Sequence, residues 1–223
     1  MKIAIMYDML ENVGGGEKIA IQAAKELDAT IITANLSNDA LREMNGENLE
    51  IINLGKLPNH YALKHSLAIK KYYNCNFSND FDFFILMGNR AVFAAKNHRP
   101  NLWYCMSLER AAYDLHDFYL RNSPFLEKPL VMASGGIYRN AHAKFALPHV
   151  ERIACISRNT REKLKKYLGK EAEVIYPFHE KYGDGFSTTV EGSVHRIIYE
   201  AGATYYIKCM DASNNLMKHV FHA

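Results

Sequence analysis

Short, continuously apolar runs alternate along this chain with longer stretches of helical period, and that alternation limits the fold more than any other feature. The apolar runs are Lys2–Tyr7, Thr30–Ala34, Leu49–Leu54, Phe83–Met87, Leu102–Met106, Arg152–Ile156 and Glu173–Tyr176. A half-exposed strand alternates apolar with polar residues, whereas a strand covered on both faces reads as an unbroken apolar run. Between the runs lie helical stretches at Glu17–Leu27, Asp39–Met44, His60–Tyr73, Arg90–Lys96, Glu109–Arg121, around Ile137–Ala146, and Arg158–Leu168. Strand and helix alternating at this spacing imply crossovers that lay helices on both faces of a parallel sheet. The expected class is α/β, a Rossmann-like, doubly wound parallel sheet.

The rhythm stops at Pro177. Lys181–Ser187 is turn-like, and Ser193–Tyr199 with Ala203–Cys209 has the pattern of a β-hairpin. Asp211–His222 reads as a short terminal helix capped by Asp211 or Ser213. The chain therefore divides into a sheet domain over 1–177 and an atypical extension over 178–223.

Composition excludes some functions. With 27 basic against 24 acidic residues the net charge is only +3, and no nucleic-acid partner is expected, since phosphate contacts demand a concentrated basic face. The four cysteines, Cys75, Cys105, Cys155 and Cys209, have no metal-ligand spacing. No metal site is expected, and Cys105 and Cys155 read as free thiols inside strands. The first strand begins at once, without a basic-then-apolar leader, and no apolar run approaches the roughly 20 residues that span a bilayer. A cytoplasmic protein is expected, with a peripheral membrane contact left open.

Three glycines, Gly14, Gly15 and Gly16, separate the first strand from a helix. Consecutive glycines let a backbone approach a ligand closely and take positive φ, and a helix N-terminus offers unpaired N–H groups and partial positive charge to a phosphate. The loop is neither GxGxxG nor the Walker loop, and a tight turn that binds nothing is the competing reading. Gly88-Asn89-Arg90 follows a strand end and faces the side where parallel sheets bind ligands, unless Asn89 merely caps a helix. Lys56–Tyr73 is basic and aromatic; it suits either an anionic membrane surface or a core-facing stripe of Leu63, Leu67 and Ile69 with a solvated basic face. Lys163, Lys165 and Lys166 read as another solvated face.

Gly14-Gly15-Gly16-Glu17-Lys18 after a first strand resembles the GGxE loop of the GT-B-fold retaining glycosyltransferases of family four. Ile153 to Pro177, with Ser157, Asn159, Gly169 and a closing Val-Ile-Tyr-Pro, is similar to the segment that ends their N-terminal domain. Trp103 to Asp114 is similar to the Y-C-H-T-P-x-R-Y-x-W-D segment of the mannosyltransferase-like members, with Arg110, Tyr113 and Asp114 matching. Met106 stands where that pattern has histidine and Leu108 where it has proline, so proton-accepting chemistry at Met106 is lost; His116 is a conceivable substitute.

The resemblance covers about residues 1–177 and implies the acceptor-side half of a hexosyltransferase. Its donor would be a nucleotide sugar, bound as substrate with no further cofactor, and its acceptor a glycan or a lipid-linked molecule. It places Gly14, Gly15, Gly16 and Glu17 at the donor diphosphate and Asn89, Arg110, Tyr113 and Asp114 on the acceptor side, and it assigns no catalytic residue. Members carry a second Rossmann domain with an E-x7-E motif; here Glu191 and Glu200 are one residue too far apart, and 46 residues after Pro177 are too few for such a domain. The expectation is a chain with little or no turnover alone, completed by a separate donor-domain polypeptide or by another copy. The alternative is a non-catalytic acceptor-binding subunit.

Overall fold

The computed structural model describes residues 1–177 and, beyond them, the backbone of three strands at 193–200, 204–210 and 216–222. Within 1–177 the order is β1 (Ile3–Met9), α1 (Gly15–Leu27), β2 (Thr30–Ala34), α2 (Asn38–Glu43), β3 (Ile51–Asn53), α3 (Tyr61–Asn74) and β4 (Phe83–Met87). There follow a 3-10 turn at Ala91–Asn97, β5 (Asn101–Cys105), α4 (His116–Asn122), α5 (Lys128–Ala141), β6 (Arg152–Cys155), α6 (Arg158–Leu168) and β7 (Glu173–Val174). All seven strands pair parallel, in the order β3-β2-β1-β4-β5-β6-β7. This is the doubly wound Rossmann-like sheet expected from the apolar runs.

Successive residues of β1 serve opposite faces. Ile3, Ile5 and Tyr7 pack with α1 and α2, while Ala4 and Met6 pack with α3, the 3-10 turn and Trp103. Every residue of β2, β4 and β5 is buried, which explains why these segments carry no polar alternation. Cys105 and Cys155 are register neighbours on β5 and β6, buried as free thiols. Ser157 caps α6 by accepting from the Thr160 N–H at 3.1 Å, and Gly169 closes it at φ 63°.

Three expectations need correction. Residues 91–97 form a 3-10 turn rather than an α-helix: Ala91 to Ala95 are all buried, and the turn is wedged against α3 and β4. Glu109–Arg121 is not one helix. The carbonyls of Ala111 and Ala112 are taken by the His116 ring (3.0 Å) and the Arg139 guanidinium (2.6 Å), so the α ladder starts only at His116. The helix around Ile137 begins earlier, at Lys128, and continues through a π turn at His142–Ala146. Gly135, inside this helix, is where the His116 ring packs, 2.5 Å from where a Cβ would stand.

Beyond Pro177, Ser193–Glu200 pairs antiparallel with Thr204–Met210, which pairs with Leu216–His222. The last segment is a strand rather than the end of a helix, in keeping with the β-forming Val220 and Phe221. The Lys181–Ser187 turn and Glu191 lie outside the described residues.

Candidate functional site

The chain leaves β1 towards β2 on one side, and β4 lies on the other. At this reversal α1 and the 88–91 turn diverge, opening a crevice at the carboxyl ends of the strands. A cavity of about 170 Å³ sits there, between Tyr7 and Asp8 of β1, Gly88 and Asn89 after β4, and Trp103, Met106 and Ser107 around the end of β5.

Asp8 organises its floor. One carboxylate oxygen accepts from the Arg90 and Ala91 N–H groups at 2.8 and 2.7 Å, and the other from Asn89 N–H at 3.0 Å. Asp8 thus caps the 3-10 turn from a neighbouring strand, the role that sequence alone offers to Asn89. A Cβ at Gly88 would collide with this carboxylate. The Arg90 guanidinium lies 3.6 Å from Asp8 and 2.6 Å from Glu109, with 13% of its side chain exposed. The Tyr72 hydroxyl donates to the carbonyl oxygens of Tyr7 (2.5 Å) and Asp8 (2.9 Å), and Tyr138 donates to that of Asn89 at 2.8 Å.

Gly14 is the extended N-cap of α1, with φ −140° and no side-chain cap. None of Gly14, Gly15 and Gly16 has positive φ; among the described glycines only Gly55 and Gly169 do. Space is the reason for Gly16: a Cβ there would stand 2.7 Å from the Tyr7 hydroxyl and 3.6 Å from Met106 Cε. A Cβ on Gly15 would meet nothing within 4 Å, and this position is open to solvent. Glu17, in the first turn, folds its carboxylate back over Gly14 and accepts a hydrogen bond from Tyr7. Burial, followed by the charges of Glu17 and Asp8, pushes the Tyr7 phenol far above its ordinary value, so Tyr7 remains the donor.

Of the expected acceptor-side residues, Asn89 lines the cavity. Arg110 and Asp114 form an adjoining shelf, 3.4 Å apart, with Lys163 of α6 at 2.7 Å from Asp114. Burial opposes ionisation of Asp114, but the Lys163 hydrogen bond and the Lys163 and Arg110 charges outweigh it and hold the carboxyl below its usual range. Its Oδ1 is buried without a hydrogen-bond partner. Tyr113 is not on this shelf: it is buried behind it, its hydroxyl 2.8 Å from His142 Nδ1. Lys163 is an ion-pair partner rather than part of a solvated face, and His116 is held by the Ala111 carbonyl and Gly135, away from the cavity lining.

On helix α3, Leu67 and Ile69 pack against the core as the stripe reading expects, but the basic face is not simply solvated. Lys64 pairs with Glu11, Lys71 donates to the Leu54 carbonyl at 2.5 Å, and Tyr72 is fully buried, whereas Leu63 is half exposed. His65 is held near a pKa of about 4 by burial and then by the Arg90 and Lys64 charges, with Glu11 opposing. Lys64 and Lys71 are thus tied to neighbouring segments, while Ser66 and Lys70 are exposed. Asp8, Tyr7 and Glu109 were not singled out by sequence; only a carboxylate directly following an apolar strand could have drawn notice to Asp8. Among the described residues, no group of three or more His, Cys, Asp or Glu side chains could hold a metal ion.

No protein-family model and no curated protein matches the sequence. In structure the chain is similar to HepE from Anabaena, solved in complex with UDP and glucose, with a TM-score of 0.50 and 16% identity over 81% of this chain and 45% of HepE. A second match is the apo form of the lipopolysaccharide outer core galactosyltransferase WaaB, with a TM-score of 0.44 and 14% identity over 86% of this chain and 50% of WaaB. The chain spans about half the length of either. At this identity the likeness to HepE is one of fold.

Proposed function

We propose that residues 1–177 are the N-terminal, acceptor-side half of a GT-B glycosyltransferase, of the family-four, mannosyltransferase-like kind. The activity would be transfer of a hexosyl group from a nucleotide sugar to a glycan or lipid-linked acceptor. The observation that carries this reading is the glycine turn that starts α1, where Gly15 stands in open space and Gly16 lies against Tyr7 and Met106, two residues of the cavity lining. It stands in a fold shared with a protein crystallised with UDP and glucose.

In this reading the N–H groups of Gly14 to Glu17 meet the donor diphosphate, and Asn89 and Arg110 hold acceptor hydroxyls, with Asp114 orienting Arg110. Tyr113 positions the shelf from behind through His142. Met106 beside Gly16 cannot take a proton, so these residues bind and orient, and stabilisation of the leaving diphosphate falls to a second half. A non-catalytic partner subunit is the second reading, favoured by Glu17, whose carboxylate lies against Gly14 and would repel a diphosphate there.

Titration calorimetry of the 223-residue chain with UDP, GDP and ADP tests the binding. One of them should bind, and Gly15→Asp should abolish it; binding by none, or binding indifferent to Gly15→Asp, overturns the assignment. Incubation with the corresponding nucleotide sugars should release little nucleotide, and robust hydrolysis or transfer would contradict the half-enzyme reading.

A further inference from the structure

The hydrogen bonds already made around the crevice cavity leave it with a one-sided chemistry. Its lining combines Tyr7, Asp8, Asn89 and Ser107 with the apolar surfaces of Trp103 and Met106. A hydroxyl has one proton to give, and both hydroxyls have given theirs to the protein. Tyr7 donates to Glu17, and Ser107 Oγ donates to the Leu108 carbonyl at 2.9 Å. Towards a ligand each can only accept. The Asp8 carboxylate is already surrounded by three N–H groups at 2.7 to 3.0 Å and by the Arg90 guanidinium. Only the Asn89 amide both donates and accepts. Its backbone is pinned from two sides, the N–H by Asp8 and the carbonyl by Tyr138.

Charge biases the cavity in the same direction. Among the described residues, its lining holds no lysine, arginine or histidine, and Asp8 is the only formal charge in the wall. The two arginines that follow lining residues in the chain are ion-paired, Arg90 with Glu109 at 2.6 Å and Arg110 with Asp114 at 3.4 Å. Asp8, Arg90 and Glu109 together sum to one negative charge, and the amide end of α1 carries Glu17 in its first turn. A carboxylate or phosphate has no proton to give to Tyr7 or Ser107 and would meet a wall of its own sign. A hydroxyl donates and accepts, so it satisfies Tyr7, Ser107 and Asn89 alike.

Size and apolar surface narrow the ligand further. The cavity measures about 170 Å³; a cavity of about 150 Å³ holds a benzene ring, so the room is for one six-membered ring rather than two. A pyranose has hydroxyls along its edge and C–H groups on its faces, and Trp103 with Met106 gives those faces an apolar seat. We infer that the cavity receives an uncharged hexose ring and turns away uronic acids and sugar phosphates. That the ligand is a sugar rests on the sugar-transfer reading, and the inference names the terminal ring of its acceptor; the charge selection comes from the lining itself. Met106 sets it, because a basic side chain there would supply the cation that the wall lacks.

Trp103 is the only tryptophan and forms part of the wall, so the 223-residue chain reports its own occupancy by fluorescence. The titrants are the methyl glycosides of glucose, galactose and mannose, the methyl glycoside of glucuronic acid, and glucose 6-phosphate, at matched ionic strength. At least one neutral glycoside should change the Trp103 emission saturably, and both acids should bind at least roughly tenfold more weakly. Met106→Lys should bring the acids level with the neutral glycoside or above it. Asn89→Leu, which keeps both backbone hydrogen bonds, should weaken the neutral glycoside by roughly three- to tenfold; circular-dichroism melts verify that both variants fold. Acids that bind the wild type as well as the neutral glycosides do, an emission that no neutral glycoside alters, or discrimination indifferent to Met106→Lys overturns the inference. Calorimetry with UDP, GDP and ADP on the same protein separates the two readings. A nucleotide that binds while the cavity prefers acids sinks this inference alone, whereas selection of a neutral glycoside with no nucleotide bound sustains it and sinks the sugar-transfer assignment.

Discussion

Removing the Asp8 carboxylate should loosen the switch-point turn more than any other single change at the crevice. Asp8 receives three backbone N–H groups and lies beside Arg90, with 18% of its side chain exposed. A hydrogen bond to a charged group is worth about 1.5–3 kcal/mol, but bonds sharing one acceptor do not add. Taking one carboxylate away from a mostly buried guanidinium belongs to the class of broken buried pairs that cost about 3–5 kcal/mol. Asp8→Ala should therefore destabilise by about 3–5 kcal/mol, which for a domain of this size lowers Tm by roughly 6–20 °C. Asp8→Asn keeps one oxygen able to accept from Arg90 and Ala91 and should fall between, at about 1–3 kcal/mol. Thermal unfolding by circular dichroism gives the ranking, and hydrogen exchange at Asn89, Arg90 and Ala91 tests the location. If Asp8→Ala melts within roughly 2 °C of wild type, or these amides keep their protection, the capping argument is wrong.

The adjacent glycines should respond with opposite signs. Gly15→Ala meets open space and should stabilise α1 by up to about 1 kcal/mol, whereas Gly16→Ala drives a Cβ into the bonded Tyr7 hydroxyl and should lower Tm; equal shifts would refute the space argument. Stability should also fall in acid. Burial keeps His142 neutral in the fold down to about pH 4, against 6.5 for the ordinary group. Its contribution is complete above 6.5 and is lost as pH falls towards 4, by about 1.4 kcal/mol per pH unit, with His65 acting in the same direction. His142→Phe should flatten the slope of Tm against pH between those limits, and an unchanged slope would show that His142 does not contribute.

The strands were legible because the sheet is covered on both sides: Phe83–Met87 is buried at every position, and nothing polar interrupts it. Helix ends were legible where the cap is local, as at Ser157 and Gly169. They were not legible where partners come from afar. The 88–91 turn is capped by a residue some eighty positions earlier, and the start of α4 is fixed by Arg139 taking a carbonyl at Ala112. At the site, the glycine turn was readable, but its necessity at Gly16 depends on Tyr7 brought alongside by β1. Tyr113 and Asp114 are neighbours in a turn, and only the fold decides that one faces His142 in the core and the other Lys163 on the shelf.

Charge at the crevice gives a sharper test of whether a diphosphate sits on α1. Asp8 and Glu109 flank the Arg90 guanidinium, and Glu17 lies over Gly14 with its hydrogen bond from Tyr7. A diphosphate at the Gly15 amides would bring further negative charge against Glu17; two like charges about 5 Å apart at an effective dielectric of 20 repel by roughly 3 kcal/mol before screening. Glu17→Gln keeps an oxygen for the Tyr7 hydroxyl and removes the repulsion. If the proposed reading is correct, it should tighten UDP or GDP binding by roughly tenfold, since solvent retains about half of that energy. The tightening should shrink in high salt, as a Coulombic effect must. Unchanged or weaker binding in Glu17→Gln means that the anion, if one binds, is held elsewhere. The amide end of α1 is then a capped turn and nothing more.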